Sequence, residues 1–162
     1  MQGGILTYAL LIALATALLV AAITDLRSRQ IDNWLNAAIA LGAPLFWFAT
    51  GLDLAGIGLQ FAIATATFAV LAGLFAMGAM GGGDVKLLTA LALWIEPLWF
   101  LKLVIIMALA GGVLTLVFGG IHLMRRKRDK IAIPYGIAIS FAGLWVLANQ
   151  YLPALQSGPH IG

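Results

Sequence analysis

The chain has 162 residues, of which 63% are hydrophobic and only 9% charged, with a formal net charge of +3 and a mean hydropathy of +1.06. Soluble domains run to roughly half apolar and a quarter charged. Here too little polar surface remains to coat a water-soluble globule, which excludes a cytosolic enzyme, a disordered chain and a nucleic-acid-binding domain. There is no Cys, so disulfide scaffolds, thiolate zinc sites and cysteine nucleophiles are excluded as well.

A bilayer core about 30 Å thick needs about 20 apolar residues to span it as a helix. Residues 3–24 carry no charge and are read as the first span. They lack the basic start and short apolar core of a cleaved signal peptide, so the span is permanent. A compact polar loop follows over residues 25–33, where Asp32 or Asn33 is placed to cap the next helix. The second span covers 34–50, with a bend expected at Pro44, and the third covers 54–79 after a Gly51-Leu52-Asp53 turn. Gly81-Gly82-Gly83 then breaks the helical pattern, because each glycine costs a helix interior about 1 kcal/mol relative to Ala. Residues 85–95 are apolar except for Lys86. They form a short fourth span, or one that begins inside the membrane, where irregular backbone needs protein or a water-filled cavity around it. Glu96-Pro97 closes this segment, and a fifth span covers 98–124. The basic run 125–130 leads into a sixth span over 131–152 and a frayed polar tail.

The predicted fold class is therefore all-α: a polytopic membrane protein of about six transmembrane helices. Positive charge favours the inner side. With the N-terminus outside, the inner loops hold Arg27, Arg29, Lys86, Arg125, Arg126, Lys127, Arg128 and Lys130, eight of the nine basic residues, leaving Lys102 toward the outer side. Trp34, Trp94 and Trp99 fall near span ends, where amphipathic rings sit well. Residues 1–162 read as one transmembrane domain with no separate soluble domain and no internal repeat.

Carboxylates are expensive near hydrocarbon, so each of the six acids needs a reason. Asp53, Glu96 and Asp129 read as solvated loop charges. Asp25 directly follows a long uncharged run, and Asp84 stands between the glycines and an apolar helix. The topology puts both at the inner face, 59 positions apart in sequence, as a dyad expected to face a common cavity. Two close carboxylates resist ionising together, so one holds a proton while its partner is free to act as base on a water. The pair titrates as a unit, and no cofactor or metal is required. Two other readings stay open at this level: two helix caps without chemistry, or a proton relay in a small transporter or channel subunit. Lys86 either biases the dyad by its charge or snorkels to the lipid surface. His122 and His160 are isolated, which argues against a metal site. The 125–130 run is a topology anchor that meets anionic lipid, not a nucleic-acid patch. No serine-protease pattern is present.

At these residues the chain resembles the type IV prepilin peptidases, membrane aspartic proteases with a GxGD motif. Gly81-Gly82-Gly83-Asp84-Val85-Lys86-Leu87 is similar to the GxGDxK segment of that family. Asp25, ahead of Ile31 and Leu35, is similar to its first aspartate motif. Ile133-Pro134-Tyr135-Gly136-Ile137-Ala138 resembles its late proline-aromatic-glycine motif. The chain departs from the pattern at Asp32, where the family usually has Pro, which adds a third acid near the inner face. It also lacks the cysteine-bearing insert of the larger members, so it resembles the short form associated with Tad/Flp-type pili or pseudopilins, without methyltransferase activity.

The resemblance implies a prepilin leader peptidase of the bacterial inner membrane. Asp25 and Asp84 would be its catalytic pair, cutting after a leader glycine at the cytoplasmic face. It implies prepilin or pseudopilin substrates, a lipid bilayer as surroundings, no cofactor and no nucleic acid. Gly81, Gly82, Gly83 and Lys86 are then the expected substrate contacts. Ala132, Gly136 and Ser140 form a small-residue ridge against which a substrate helix could dock. Pro134 and Gly136 also suit the first turn of the last helix.

Overall fold

The computed structural model describes residues 4–124 and 135–156, with side chains through 117 and from 135 to 151. Six helices account for nearly all of it: α1 (Ile5–Ser28), α2 (Asn33–Thr50), α3 (Leu54–Ala76), α4 (Gly82–Ala92), α5 (Pro97–Met124) and α6 (Tyr135–Gln156). The described residues include no strand. Segments Ile5–Ser28, Leu54–Ala76 and Pro97–Val117 are long and apolar enough to cross a membrane. Large apolar side chains such as Ile5, Phe48, Leu54, Leu98 and Leu116 point outward. A helix satisfies its own backbone groups where no water can, so this is the form apolar runs take in lipid. The protein is an all-helical membrane protein.

Two boundaries differ from expectation. The first helix does not stop before Asp25 but carries it within its last turn. Thr24 Oγ1 donates to the Val20 carbonyl at 3.0 Å and Ser28 Oγ to the Thr24 carbonyl at 2.7 Å, so polar side chains here feed the helix rather than end it. It closes at Arg29, whose φ of 54° is left-handed and whose N–H reaches the Asp25 carbonyl at 2.8 Å. The glycine interruption also moves. The irregular stretch lies at residues 77–81, with Gly78 at φ 72°, and Gly82 and Gly83 form the first turn of α4. Helix α2 continues through Pro44. The basic run 125–130, Ala132, Ile133, Pro134 and His160 lie outside the described residues.

The eleven-residue α4 is the centre of the bundle. Leu87, Leu88 and Leu91 are at most 1% exposed, and its neighbours are α2, α3, α5 and α6. A helix too short to cross a bilayer comfortably is thus wrapped by protein. It is bolted to α2 by two indoles. Trp94 Nε1 donates to the Ile39 carbonyl and Trp47 Nε1 to the Leu93 carbonyl, each at 2.8 Å. In lipid such interhelical bonds and close packing, not hydrophobic transfer, hold helices together, at about 0.6–2 kcal/mol per bond. The Trp94 ring packs inside the protein instead of being presented to the surroundings: it is 4% exposed. Its ring lies so close to α2 that a Cβ on Gly42 would come within 2.7 Å of it. Trp34 is exposed, and Trp99 carries the Lys102 ammonium 3.7 Å above its ring. A second pairing joins α1 to α6, where a Cβ on Gly143 would meet Leu18 at 2.9 Å.

Candidate active site

The C-terminal end of α1 and the N-terminal ends of α4 and α6 meet at one end of the bundle, and both singled-out aspartates are there. Asp25 is 5% exposed. Its side chain lies against the first turn of α6, where a Cβ on Gly136 would be 2.8 Å from Asp25 Cγ and Oδ2. The backbone N–H groups of Gly136 and Ile137 act on its carboxyl, as does the positive charge of Arg29. Oδ2 has no hydrogen-bond partner among the described residues.

Asp84 is 8% exposed and is the third residue of α4. From that position its carboxyl turns back to the backbone N–H of Gly81, the reach of an acidic residue in a capping box. Oδ2 would lie 2.8 Å from a Cβ on Gly81. The two carboxyls are near enough for the charge of Asp25 to act on Asp84. Both carboxyl-bearing residues are buried.

Each glycine of the motif faces the chain itself. Gly81 lies under the Asp84 carboxyl, a Cβ on Gly82 would meet the Phe75 ring at 3.3 Å, and a Cβ on Gly83 would lie 3.3 Å from Ile31 Cβ and 3.4 Å from its backbone N. Ile31, in the loop after α1, thus packs on the turn that carries Asp84. Lys86 points away from the carboxyl pair: its Nζ donates to Asn33 Oδ1 at 2.7 Å. Both residues rim a cavity of about 380 Å³ between α2, α3 and α4, with Asn36, Ala40, Phe68 and Ala90.

The remaining acids separate from this site. Asp32 occupies the N-cap position of α2, but its side chain makes no cap bond and is exposed. Asp53, expected as a solvated loop charge, caps α3 by accepting from the Gly56 N–H at 2.8 Å. Glu96 is exposed before α5, and Asp129 lies outside the described residues. No group of three metal-ligating side chains occurs among the described residues.

The small-residue ridge on α6 faces inward. Gly136 is buried on Asp25, and Ser140 is 1% exposed, so these two pack within the bundle and offer no surface to an incoming helix. Two polar residues belong here or next to it: Ser140, expected only as part of the ridge, and Asn36, not singled out from sequence. Ser140 is four residues on from Gly136, and its Oγ has no partner among the described residues. Asn36 is 4% exposed and its Nδ2 donates to the Gly83 carbonyl at 3.4 Å. The only trace of Asn36 in the sequence is an amide inside an otherwise apolar run.

A helical membrane protein with two interacting carboxyls buried on separate helices is the class that fold and site define. The family model of the type IV leader peptidases matches residues 12–116, a stretch that includes Asp25, the glycine motif and Asp84. The chain belongs to the type IV leader peptidase family. It is accordingly a membrane-bound protease of the prepilin leader peptidase type, with prepilins as the general substrate class. The matched stretch ends before Gly136. Among curated proteins and among solved structures, nothing matches the chain.

Proposed function

We propose that the protein is an aspartic endopeptidase in which Asp25 and Asp84 activate a water to cut the leader from prepilins or pseudopilins. The observation that carries this reading is the pair itself: two buried carboxyls, contributed by α1 and α4, with the charge of one acting on the other. Burying one acid in a membrane bundle is costly, and intramembrane acids mark function by default. Asp84 reaches back to the Gly81 N–H as a cap and Asp25 meets the first-turn N–H groups of α6, but two separate caps would not require the charge of one acid to bear on the other.

The chemistry needs one proton on the pair. The ionised carboxylate removes a proton from water as the oxygen attacks the scissile carbonyl carbon. The protonated partner donates to the carbonyl oxygen, giving a neutral tetrahedral diol. As the diol collapses and the C–N bond breaks, the acid now carrying the proton gives it to the amine nitrogen, while the ionised partner takes a proton from a diol hydroxyl as the carbonyl re-forms, so the dyad returns to one proton. Neither Asp is assigned a fixed role.

In this reading the single domain of residues 1–162 has six spans with the N-terminus outside. The dyad end then faces the cytoplasm in a bacterial inner membrane, because the inner loops hold the basic residues. A prepilin leader meets its apolar helix at that surface. The Gly81–Gly83 turn and Lys86, beside Asp84, are the proposed substrate contacts. The absence of Cys and of the larger members' insert agrees with a short Tad/Flp-type form without methyl transfer.

The test is co-expression with a candidate prepilin, reading the mature N-terminus by mass. Asp25→Asn and Asp84→Asn should each abolish processing, by at least 10³-fold on the scale of lost acid–base catalysis, while the protein still accumulates in the membrane. Processing at the wild-type rate by either variant overturns the assignment.

A further inference from the structure

The turn that carries Asp84 is intrinsically soft. Its N-cap is Gly81 and its first two helical residues are Gly82 and Gly83, and glycine resists helix by about 1 kcal/mol per residue relative to Ala. A catalytic carboxyl on such a turn needs external support, since a displacement of about 1 Å can lower a rate about 10²-fold. The supports are few. Ile31 packs on the Cα side of Gly83, and the Asn36 amide bonds its carbonyl at 3.4 Å. Among the described residues, no other side chain from outside α4 makes a hydrogen bond to this glycine turn.

Asn36 is an unfavourable residue for that place unless it has a task. It is 4% exposed, and its Oδ1 is buried with no partner among the described residues. Leaving a buried acceptor unsatisfied costs about 1–3 kcal/mol. The partner gains nothing essential in return, because the Gly83 carbonyl has the Leu87 N–H of its own helix as a donor. Rotating the amide would not help, since the oxygen would then face another carbonyl oxygen. An apolar side chain of the same size would serve packing better. The amide therefore serves the position of the Gly83 peptide, one residue before Asp84.

We infer that Asn36 is a positioning residue for the peptidase reaction: its amide, with Ile31, clamps the Gly83 peptide between α2 and the loop from α1 and so fixes the Asp84 carboxyl relative to Asp25. The inference rests on the proposed peptidase reading. The clamp joins the two halves of the site mechanically, because the same loop that follows Asp25 supplies Ile31 and leads into Asn36. Losing the amide frees the glycine turn without touching either acid.

The experiment compares wild type, Asn36→Leu and Asp84→Asn in membranes with a prepilin, measuring kcat and KM for leader removal and the melting temperature of each purified protein. Asn36→Leu should lower kcat at least tenfold, leave KM within twofold, and leave the melting temperature equal or higher. That combination separates positioning from structural support, which would lower kcat and melting temperature together. If Asn36→Leu does not accumulate, Asn36→Ala removes the same donor and is read by the same kcat-against-KM split. A kcat within twofold of wild type, or a kcat loss that tracks a lowered melting temperature, overturns the inference. If wild type fails to cleave, or Asp84→Asn cleaves as fast as wild type, the peptidase reading has failed and the inference falls with it. If only the Asn36 variants behave as wild type, the inference alone has failed.

Discussion

Gly136→Ala is the sharpest test of how Asp25 is held. A Cβ at this position would stand 2.8 Å from Asp25 Cγ and Oδ2 and 2.9 Å from its Cβ. Ordinary carbon contacts are about 3.5–4.0 Å, so about 0.7 Å of separation is missing. Turning the carboxyl relieves only the first two contacts; the third is fixed to the α1 backbone, so α1 and α6 must also part. Overpacking of this kind costs about 1–3 kcal/mol, offset by up to about 1 kcal/mol of helix propensity. The net loss of stability is thus about 0–3 kcal/mol, and the membrane level of the variant is measured beside its rate. The loss of rate is a separate effect: moving a reacting group by about 1 Å costs about 10²-fold. The expected outcome is leader removal slowed about a hundredfold per molecule in the membrane, with a melting temperature unchanged or lowered. Gly112→Ala is the matched control, since a Cβ there meets nothing within 4 Å, and it should process as wild type. Processing by Gly136→Ala at a rate within threefold of Gly112→Ala would refute the contact between α6 and the acid as a determinant of catalysis.

Two further outcomes follow from the packing. Trp94→Phe removes a buried indole donor from the Ile39 carbonyl and leaves space against Gly42, so detergent melting should fall by the equivalent of about 1–3 kcal/mol. Trp34→Phe, at an exposed ring, should not change it, and equal melting of the two variants would contradict the α2–α4 bolt. Lys86→Met removes an exposed bond to Asn33 and should leave the melting temperature unchanged. If Lys86 contacts substrate, KM rises several-fold while kcat holds, and an unchanged KM removes it from the binding surface.

Uncharged runs made the helices legible, because a run long enough to cross lipid has little choice but to be helical. Their ends were less legible, for reasons that involve other parts of the chain. Asp25 reads as a loop residue by its charge, yet α1 runs past it: Thr24 and Ser28 bond to the helix backbone and the carboxyl is received by the turn of α6. Gly82 and Gly83 read as a break by propensity. They are helical because Asp84 reaches back to Gly81 and Ile31 packs on Gly83. The small residues of α6 announced a face for close approach, but one helix's pattern does not say which helix approaches. Here it is α1, with Asp25 pressed on Gly136. Trp94 shows the same limit from the other side: the Gly42 that admits its ring lies far away in sequence. Topology placed Asp25 and Asp84 at one end of the bundle. The support behind Asp84 could not be read from sequence, because Asn36 carries no motif.

The distribution of bonds around the two acids bears on how a buried pair can meet a peptide. Asp25 belongs to the α1–α6 pairing through Gly136, and Gly143 holds the same two helices together at Leu18. Asp84 belongs to the α2–α4 pairing, which is fastened along its length by Asn36 to Gly83, Lys86 to Asn33, Trp94 to Ile39 and Trp47 to Leu93. Between the pairings, the side-chain hydrogen bond among described residues is Thr7 Oγ1 to the Ala49 carbonyl, at 3.3 Å, and it lies at the end of α1 and α2 remote from the dyad. At the dyad end the pairings are joined by the short loop from α1 to α2, whose Ile31 packs on Gly83, and otherwise by packing. In lipid, packing without hydrogen bonds is the weaker tie, since displaced side chains find equally apolar lipid to contact. The side-chain hydrogen bond between the pairings thus lies away from the acids, and the tie beside them is the loop itself. Each carboxyl is thus held within its own pairing, and the loop that carries Ile31 ties the turn of one to the helix end of the other.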